Sequence, residues 1–276
     1  MNSTSNAADL FDMAESLGEL SSDSVALLDP LQTEINAALA TGTQKKAARL
    51  VLFTTNIDNS ASMEYRCPGS NQNNWEIAAD GHDLILGALC GSKAASTILA
   101  HSTFLAATNG NNGIHFPFKD LVLPGHSSKS PKPNFDSMPK KVTMVDSTPL
   151  CDAMIRVLGS VQAQSTVYTQ DGTDVFTITI FLSDGGNNAG SASTSDVATL
   201  VADLRRQERH KIYFGGIEDG YTDFRKFGAE CGLDPECVRT LPNDPSEIRA
   251  WLEQVSQSAV AGSEAADVNA FSQIKL

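Results

Sequence analysis

Arg49-Leu-Val-Leu-Phe-Thr-Thr-Asn-Ile-Asp-Asn-Ser-Ala-Ser-Met63 is an apolar run that stops at Asp58 and delivers Ser60 and Ser62. Leu50 to Phe53, continuing through Ile57, is short and free of Gly and Pro, as a strand buried on both faces should be. It reads as a central parallel strand. A carboxylate and two hydroxyls at alternate positions then meet at its carboxyl end, where open α/β sheets place their ligands. Hard oxygen donors of this kind suit Mg2+, Mn2+ or Ca2+.

Working outward, Val175-Phe-Thr-Ile-Thr-Ile-Phe-Leu182 is the strongest strand pattern, and it ends at Ser183-Asp184-Gly185-Gly186. A second carboxylate therefore also sits at a strand's carboxyl end. Thr148-Pro149 reads as a helix entry with Pro at the first helical position, leading into 150–161. Further strands are expected at 211–217 and 238–241, with helices at 75–89, 195–209, 222–231 and 244–258. The runs 97–107 and 114–123, joined by the turn-rich Asn109-Gly-Asn-Asn-Gly113, predict a hairpin at a sheet edge, which Pro117 also favours. Together these patterns predict an α/β fold: a doubly wound, mainly parallel central sheet with an antiparallel edge hairpin and helices on both faces.

The flanks are less regular. Residues 1–46 read as an N-terminal extension, partly helical, with apolar spacing over Ser24 to Ala40 that suits a helix packed on the domain's flank. Residues 47–260 hold the main domain, and 261–276 a loose tail in which Phe271 and Ile274 could dock. Pro124 to Lys141 carries three further prolines at 131, 133 and 139 and four lysines, and reads as a mobile surface loop.

Composition narrows the function. A formal net charge of −13 argues against nucleic-acid binding and against an anionic membrane surface. No stretch reaches the ~20 apolar residues that span a bilayer, and Met1 to Leu20 lacks the features of an export signal, so a soluble, cytoplasmic protein is expected. Five cysteines without a Cys-x-x-Cys spacing read as free thiols rather than as a disulfide or zinc set. The five histidines show no metal-ligand spacing, and His82 with Asp83 reads as a surface or helix-supporting pair. Gly87 to Lys93 is one residue short of a phosphate loop and follows a helix, so it is rejected as a nucleotide site. No Gly-x-Ser-x-Gly elbow is present to activate a serine.

Asp58-x-Ser60-x-Ser62, Thr148 before a helix and Asp184 after a strand, in this order, resemble the von Willebrand factor A (vWA) domain and its metal ion-dependent adhesion site over residues 48–258. The resemblance implies a Rossmann-like vWA fold in which Ser60, Ser62 and Thr148 ligate the metal and Asp58 and Asp184 act directly or through water. Ala61 stands where the family has Gly, which a negative φ accommodates. Taken singly, each of the five is better explained as a turn or cap residue; taken jointly, at the family's positions, they favour a metal site.

The resemblance implies a non-enzymatic interaction module that grips a partner's Asp or Glu through the cation. The settings it suggests are an adaptor for a MoxR-type AAA+ ATPase, or a scaffold in a bacterial stress or anti-phage system. A structural component of a phage particle or appendage is the alternative, favoured by the N-terminal extension and the basic loop. A metal-dependent hydrolase is a distant third. If the lysines at 129, 132, 140 and 141 lie near the site, they would draw an acidic partner to an acidic protein.

Overall fold

The computed structural model describes residues 6–41, 47–104, 114–123, 132–265 and 267–274. Three helices come first: α1 (Ala7–Ser16), α2 (Ser22–Leu28) and α3 (Gln32–Thr41). The helix expected over 24–40 is in fact two, because Pro30 lies in a 3-10 turn, Asp29–Leu31, where its missing N–H ends the α-helical ladder. Helix α1 had no prediction.

The sheet then begins with β1 (Arg49–Ile57), followed by α4 (Asn74–Cys90), β2 (Ile98–Phe104) and β3 (Ile114–Asp120). A long crossing segment leads to α5 (Leu150–Gln170), β4 (Asp174–Ser183) and α6 (Thr194–Arg206). The chain closes with β5 (His210–Ile217), α7 (Phe224–Glu230), β6 (Val238–Leu241), α8 (Pro245–Glu264) and α9 (Val268–Ser272).

The six strands run in the order β3-β2-β1-β4-β5-β6, and every pair is parallel except β2–β3. This is the doubly wound sheet with an antiparallel edge, and Pro117 sits in the edge strand, where its missing donor is tolerated. The turn of that hairpin lies outside the described residues. β1 and β4 are the central pair, in register from Arg49↔Asp174 to Ile57↔Leu182. Both therefore deliver their carboxyl-end loops side by side.

Strand alternation sends side chains to two cores. Val51, Phe53, Ile178 and Ile180 pack with Trp75, Ile85, Trp251 and Val255 of α4 and α8. On the other face, Phe181 and Phe214 pack with Leu150, Met154 and Leu158 of α5 and with Leu10, Phe11 and Leu28 of the N-terminal helices. Fully burying a Phe or Leu is worth about 1.5–3 kcal/mol, so α1 and α2 are part of this core energetically.

Three further expectations change. Helix α5 runs nine residues beyond Val161, burying Gln162, Gln164, Ser165 and Thr166, whose polarity hides the helical period. Pro149 is the residue before α5 rather than its first. In the described part of the tail, α8 continues to Glu264, and Phe271 of α9 docks as expected, fully buried against Phe176 with ring centroids 4.7 Å apart.

The proposed mobile loop is also different where it is described. Residues 124–131, with Lys129 and His126, lie outside the described residues. From 132 to 141 the chain is anchored: Met138 is buried, its N–H donates to Asp83 Oδ1 at 2.9 Å, and Trp75 Nε1 donates to the Pro139 carbonyl at 2.9 Å. His82 is buried rather than on the surface, bonded to Ser102 Oγ at 2.7 Å and to Asp83 at 3.0 Å. All five cysteines are free and buried.

Candidate metal centre

The site is built where β1 and β4 end. Asp58 leaves β1 but stays on its neighbour, its N–H donating to the Leu182 carbonyl at 2.8 Å. Ser60 then takes an extended backbone, φ −69° and ψ 159°, and starts a 3-10 turn, Ala61–Glu64. Ala61 lies inside that turn, and Glu208 alone among the described non-glycine residues has positive φ, so the side chain at 61 is carried without strain. The Ala61 N–H donates to the Val145 carbonyl at 2.8 Å and the Val145 N–H to the Asn59 carbonyl at 3.1 Å. The crossing segment is thereby stitched to the first loop three residues before Thr148.

The side chains converge. Asp58 Oδ1 accepts from the Ser60 N–H at 2.7 Å, and Asp58 Oδ2 accepts from Ser183 Oγ at 2.5 Å. Ser60 Oγ and Ser62 Oγ are 3.0 Å apart, and Ser62 Oγ donates to Asp184 Oδ1 at 2.6 Å. Asn74, opening α4, donates from Nδ2 to Asp184 Oδ2 at 3.3 Å. Thr148 joins from the third loop: its Oγ1 is 3.6 Å from where a Cβ on Gly185 would stand. The structure thus brings Asp58, Ser60, Ser62, Thr148 and Asp184 into one cluster.

Sequence reasoning missed the residues that hold the five in place. Ser183 fixes Asp58 and also accepts from the Gly185 N–H at 3.2 Å. Asn188 Oδ1 takes the Thr148 N–H at 2.7 Å, and its own N–H returns to the Thr148 carbonyl at 3.1 Å. Asp152 accepts from the N–H groups of Ser191 and Ala192, both at 2.9 Å, tying the β4 loop to the first turn of α5. Gly190 permits this: it has φ +94°, and a Cβ there would lie 1.7 Å from Asp152 Oδ2. The available signal was the Ser-Asp pair ending a strand and the Gly/Asn-rich run after it.

Asp58 is fully buried and Asp184 is 5% exposed, and neither forms an ion pair among the described residues. Burial pushes the Asp58 carboxyl above the usual carboxylate range against the pull of Ser183 and Ser60. Burial, with the Asp58 charge added, pushes Asp184 up to about 6. Two buried like charges served only by hydroxyls and amides are costly unless something positive sits between them.

The buried Asn74 Oδ1, beside Asp184, has no hydrogen-bond partner among the described residues, a further place for a water or ligand atom. Three neutral hydroxyls and two carboxylates match the donor preference of a hard divalent cation, so the residues present fit such an ion. No cluster of three or more His, Cys, Asp or Glu suited to a metal occurs among the described residues, so this centre rests on two carboxylates and three hydroxyls. His101 and His210 are buried and held neutral, each pushed down to about 3 by desolvation.

No family model matches this sequence, and no curated protein does. Solved structures do. The pilus adhesin SpaC from Lactobacillus rhamnosus GG, in its open conformation, is similar at TM-score 0.53 and 12% identity, over 80% of this chain and 31% of that one. Proximal thread matrix protein 1 from the mussel byssus is similar at TM-score 0.50 and 15% identity, over 79% of this chain and 50% of that one. The VWA domain of SpRpn10 gives TM-score 0.44 at 11% identity, over 76% of this chain and 96% of that one. This chain therefore spans about a third of the adhesin and half of the byssus protein, and what it shares with them is the fold, here a doubly wound, mainly parallel α/β sheet with one antiparallel edge strand.

Proposed function

We propose that this protein is a non-enzymatic interaction module that binds a divalent cation through Asp58, Ser60, Ser62, Thr148 and Asp184 and uses it to grip a carboxylate of a protein partner. The observation that carries this reading is the pair of buried, unneutralised carboxylates set among three hydroxyls at the carboxyl ends of the two central strands. Two carboxylates cancel a divalent charge only if both are ionised, and neutral hydroxyls add none. The cation keeps a coordination position and affinity for one more anionic oxygen, which a partner's Asp or Glu supplies.

In this reading Ser183, Asn74 and Asn188 orient the ligands, as outer partners do at metal sites generally. Mg2+ is the expected ion, with Mn2+ or Ca2+ able to replace it. No described helix is long and apolar enough to cross a membrane. The test is capture of partners with Mg2+ and with EDTA, using the wild type and Asp58→Ala. Binding that needs both the metal and Asp58 supports the metal bridge; binding indifferent to both excludes it.

A further inference from the structure

The four loops that surround the candidate metal centre, 58–66, 145–149, 184–193 and 218–223, contain five carboxylates besides Asp58 and Asp184, and Arg66 is their one basic residue. Glu64 is exposed at the end of the turn that carries Ser62. Asp146 is exposed beside Val145, whose backbone is bonded to Ala61. Glu218 is exposed just past β5, the strand whose Gly216 is in register with Ser183. None of these three has an ion pair among the described residues.

Of the lysines expected to draw in an acidic partner, Lys140 is paired with Asp80 of α4, Lys129 lies outside the described residues and Lys141 is exposed. Lys132 follows β3 toward the opposite end of the sheet, its carbonyl accepting from the Leu123 N–H at 2.8 Å. Two exposed aromatic rings belong to these same loops. Tyr65 is 70% exposed, three residues after Ser62. Tyr221 is 97% exposed on a turn held by Asp219, which accepts from the N–H groups of Tyr221 and Thr222 at 2.8 and 2.7 Å and from Thr222 Oγ1 at 2.6 Å. Thr222 Oγ1 is itself 3.0 Å from where a Cβ on Gly186 would stand, so this turn abuts the Asp184 loop.

A divalent cation cancels Asp58 and Asp184 and leaves the surrounding ring acidic. An acidic segment would gain one metal bond and meet repulsion from Glu64, Asp146 and Glu218. A segment with a single carboxylate between basic residues gains at every position. Exposed tyrosine faces add cation–π attraction for Arg or Lys.

We propose that the partner presents its metal-seeking Asp or Glu within a basic segment, flanked by Lys or Arg, which Glu64, Asp146 and Glu218 attract and Tyr65 and Tyr221 receive. This rests on the metal-bridge reading above. The test is selection from a randomised peptide library with Glu fixed at its centre, against the full chain in Mg2+, beside a matched library with Gln at the centre.

The expected result is Mg2+-dependent retention of the Glu library, Lys and Arg enriched severalfold at the flanks, and about tenfold tighter binding of the enriched peptides than of acid-flanked ones. That preference should shrink at high salt and in the double variant Glu64→Lys, Glu218→Lys, while Tyr221→Ala should lower the Arg enrichment. Enrichment of Asp and Glu, or no charge bias, in a pool that still needs Mg2+ and Glu overturns this proposal and leaves the metal bridge standing. Equal retention of the Gln library overturns the metal bridge itself.

Discussion

Asp184 shows most clearly how burial, charge and chemistry meet in this protein. Its carboxyl is pushed up to about 6 from an ordinary value of 3.8 by burial and by the Asp58 charge. The sign follows: the folded state holds the proton more tightly than the unfolded chain. This stabilises the metal-free protein in acid and is lost as pH rises from about 4 through 6. The difference corresponds to about 3 kcal/mol.

Buried His101 and His210, held neutral, act in the opposite sense in acid, so the effect is read against Asp184→Asn. The metal-free wild type should lose urea midpoint relative to that variant between pH 5 and pH 7, and saturating Mg2+ should raise the wild type's pH 7 midpoint. Asp184→Asn should stabilise the metal-free protein at pH 7 and abolish the response to Mg2+. A gap between wild type and Asp184→Asn that is the same at both pH values would contradict the raised Asp184 carboxyl. Ser183 gives a second check. Ser183→Ala removes the hydroxyl that donates to Asp58 and should weaken metal affinity about 10–100-fold with the fold retained, as read by titration calorimetry and circular dichroism.

At the scale of elements, the parallel strands were legible because buried strands are continuous apolar runs, and β1 and β4 were placed to within a residue or two at each end. Helices were less legible wherever polar residues are buried. Helix α5 hides Gln162, Gln164 and Thr166 behind the apolar face it presents to the sheet, with Thr166 Oγ1 bonded to the Gln162 carbonyl at 3.0 Å. The break at Pro30 was visible in the sequence but was outweighed by apolar spacing on either side of it. Close packing between elements leaves its own mark: a Cβ on Gly81 of α4 would lie 2.1 Å from Leu252 Cδ1 of α8. Gly81→Val should lower stability by about 1–3 kcal/mol in urea unfolding while Mg2+ affinity is kept. An unchanged midpoint would show that α4 and α8 have slack between them.

At the scale of the whole molecule, the five candidate metal ligands could be grouped from sequence because they follow β1, precede α5 or follow β4 in the doubly wound order. Their partners could not, since Asn74, Ser183 and Asn188 are defined only by contacts across loops. The N-terminal helices are the other part that only packing reveals. Leu10, Phe11 and Leu28 are fully buried, and Arg156 of α5 is paired with Glu34 of α3 at 2.7 Å. Deleting residues 1–41 should therefore expose the outer face of α5 and give a protein that unfolds at lower temperature or aggregates, measured by scanning calorimetry. An unchanged transition would mean these helices add nothing to the core. So firmly packed a segment is also less free to act as an assembly arm, which removes one ground for the structural-component reading.

The central claim is that the cluster at the ends of β1 and β4 holds one divalent cation. The most direct measurement is calorimetric titration of the metal-free protein with Mg2+ and Mn2+ at pH 7.5, alongside Asp58→Ala and Thr148→Ala. The account predicts a single site in the wild type, lost in Asp58→Ala and weakened in Thr148→Ala. No binding in the wild type, or equal binding in all three proteins, would contradict it.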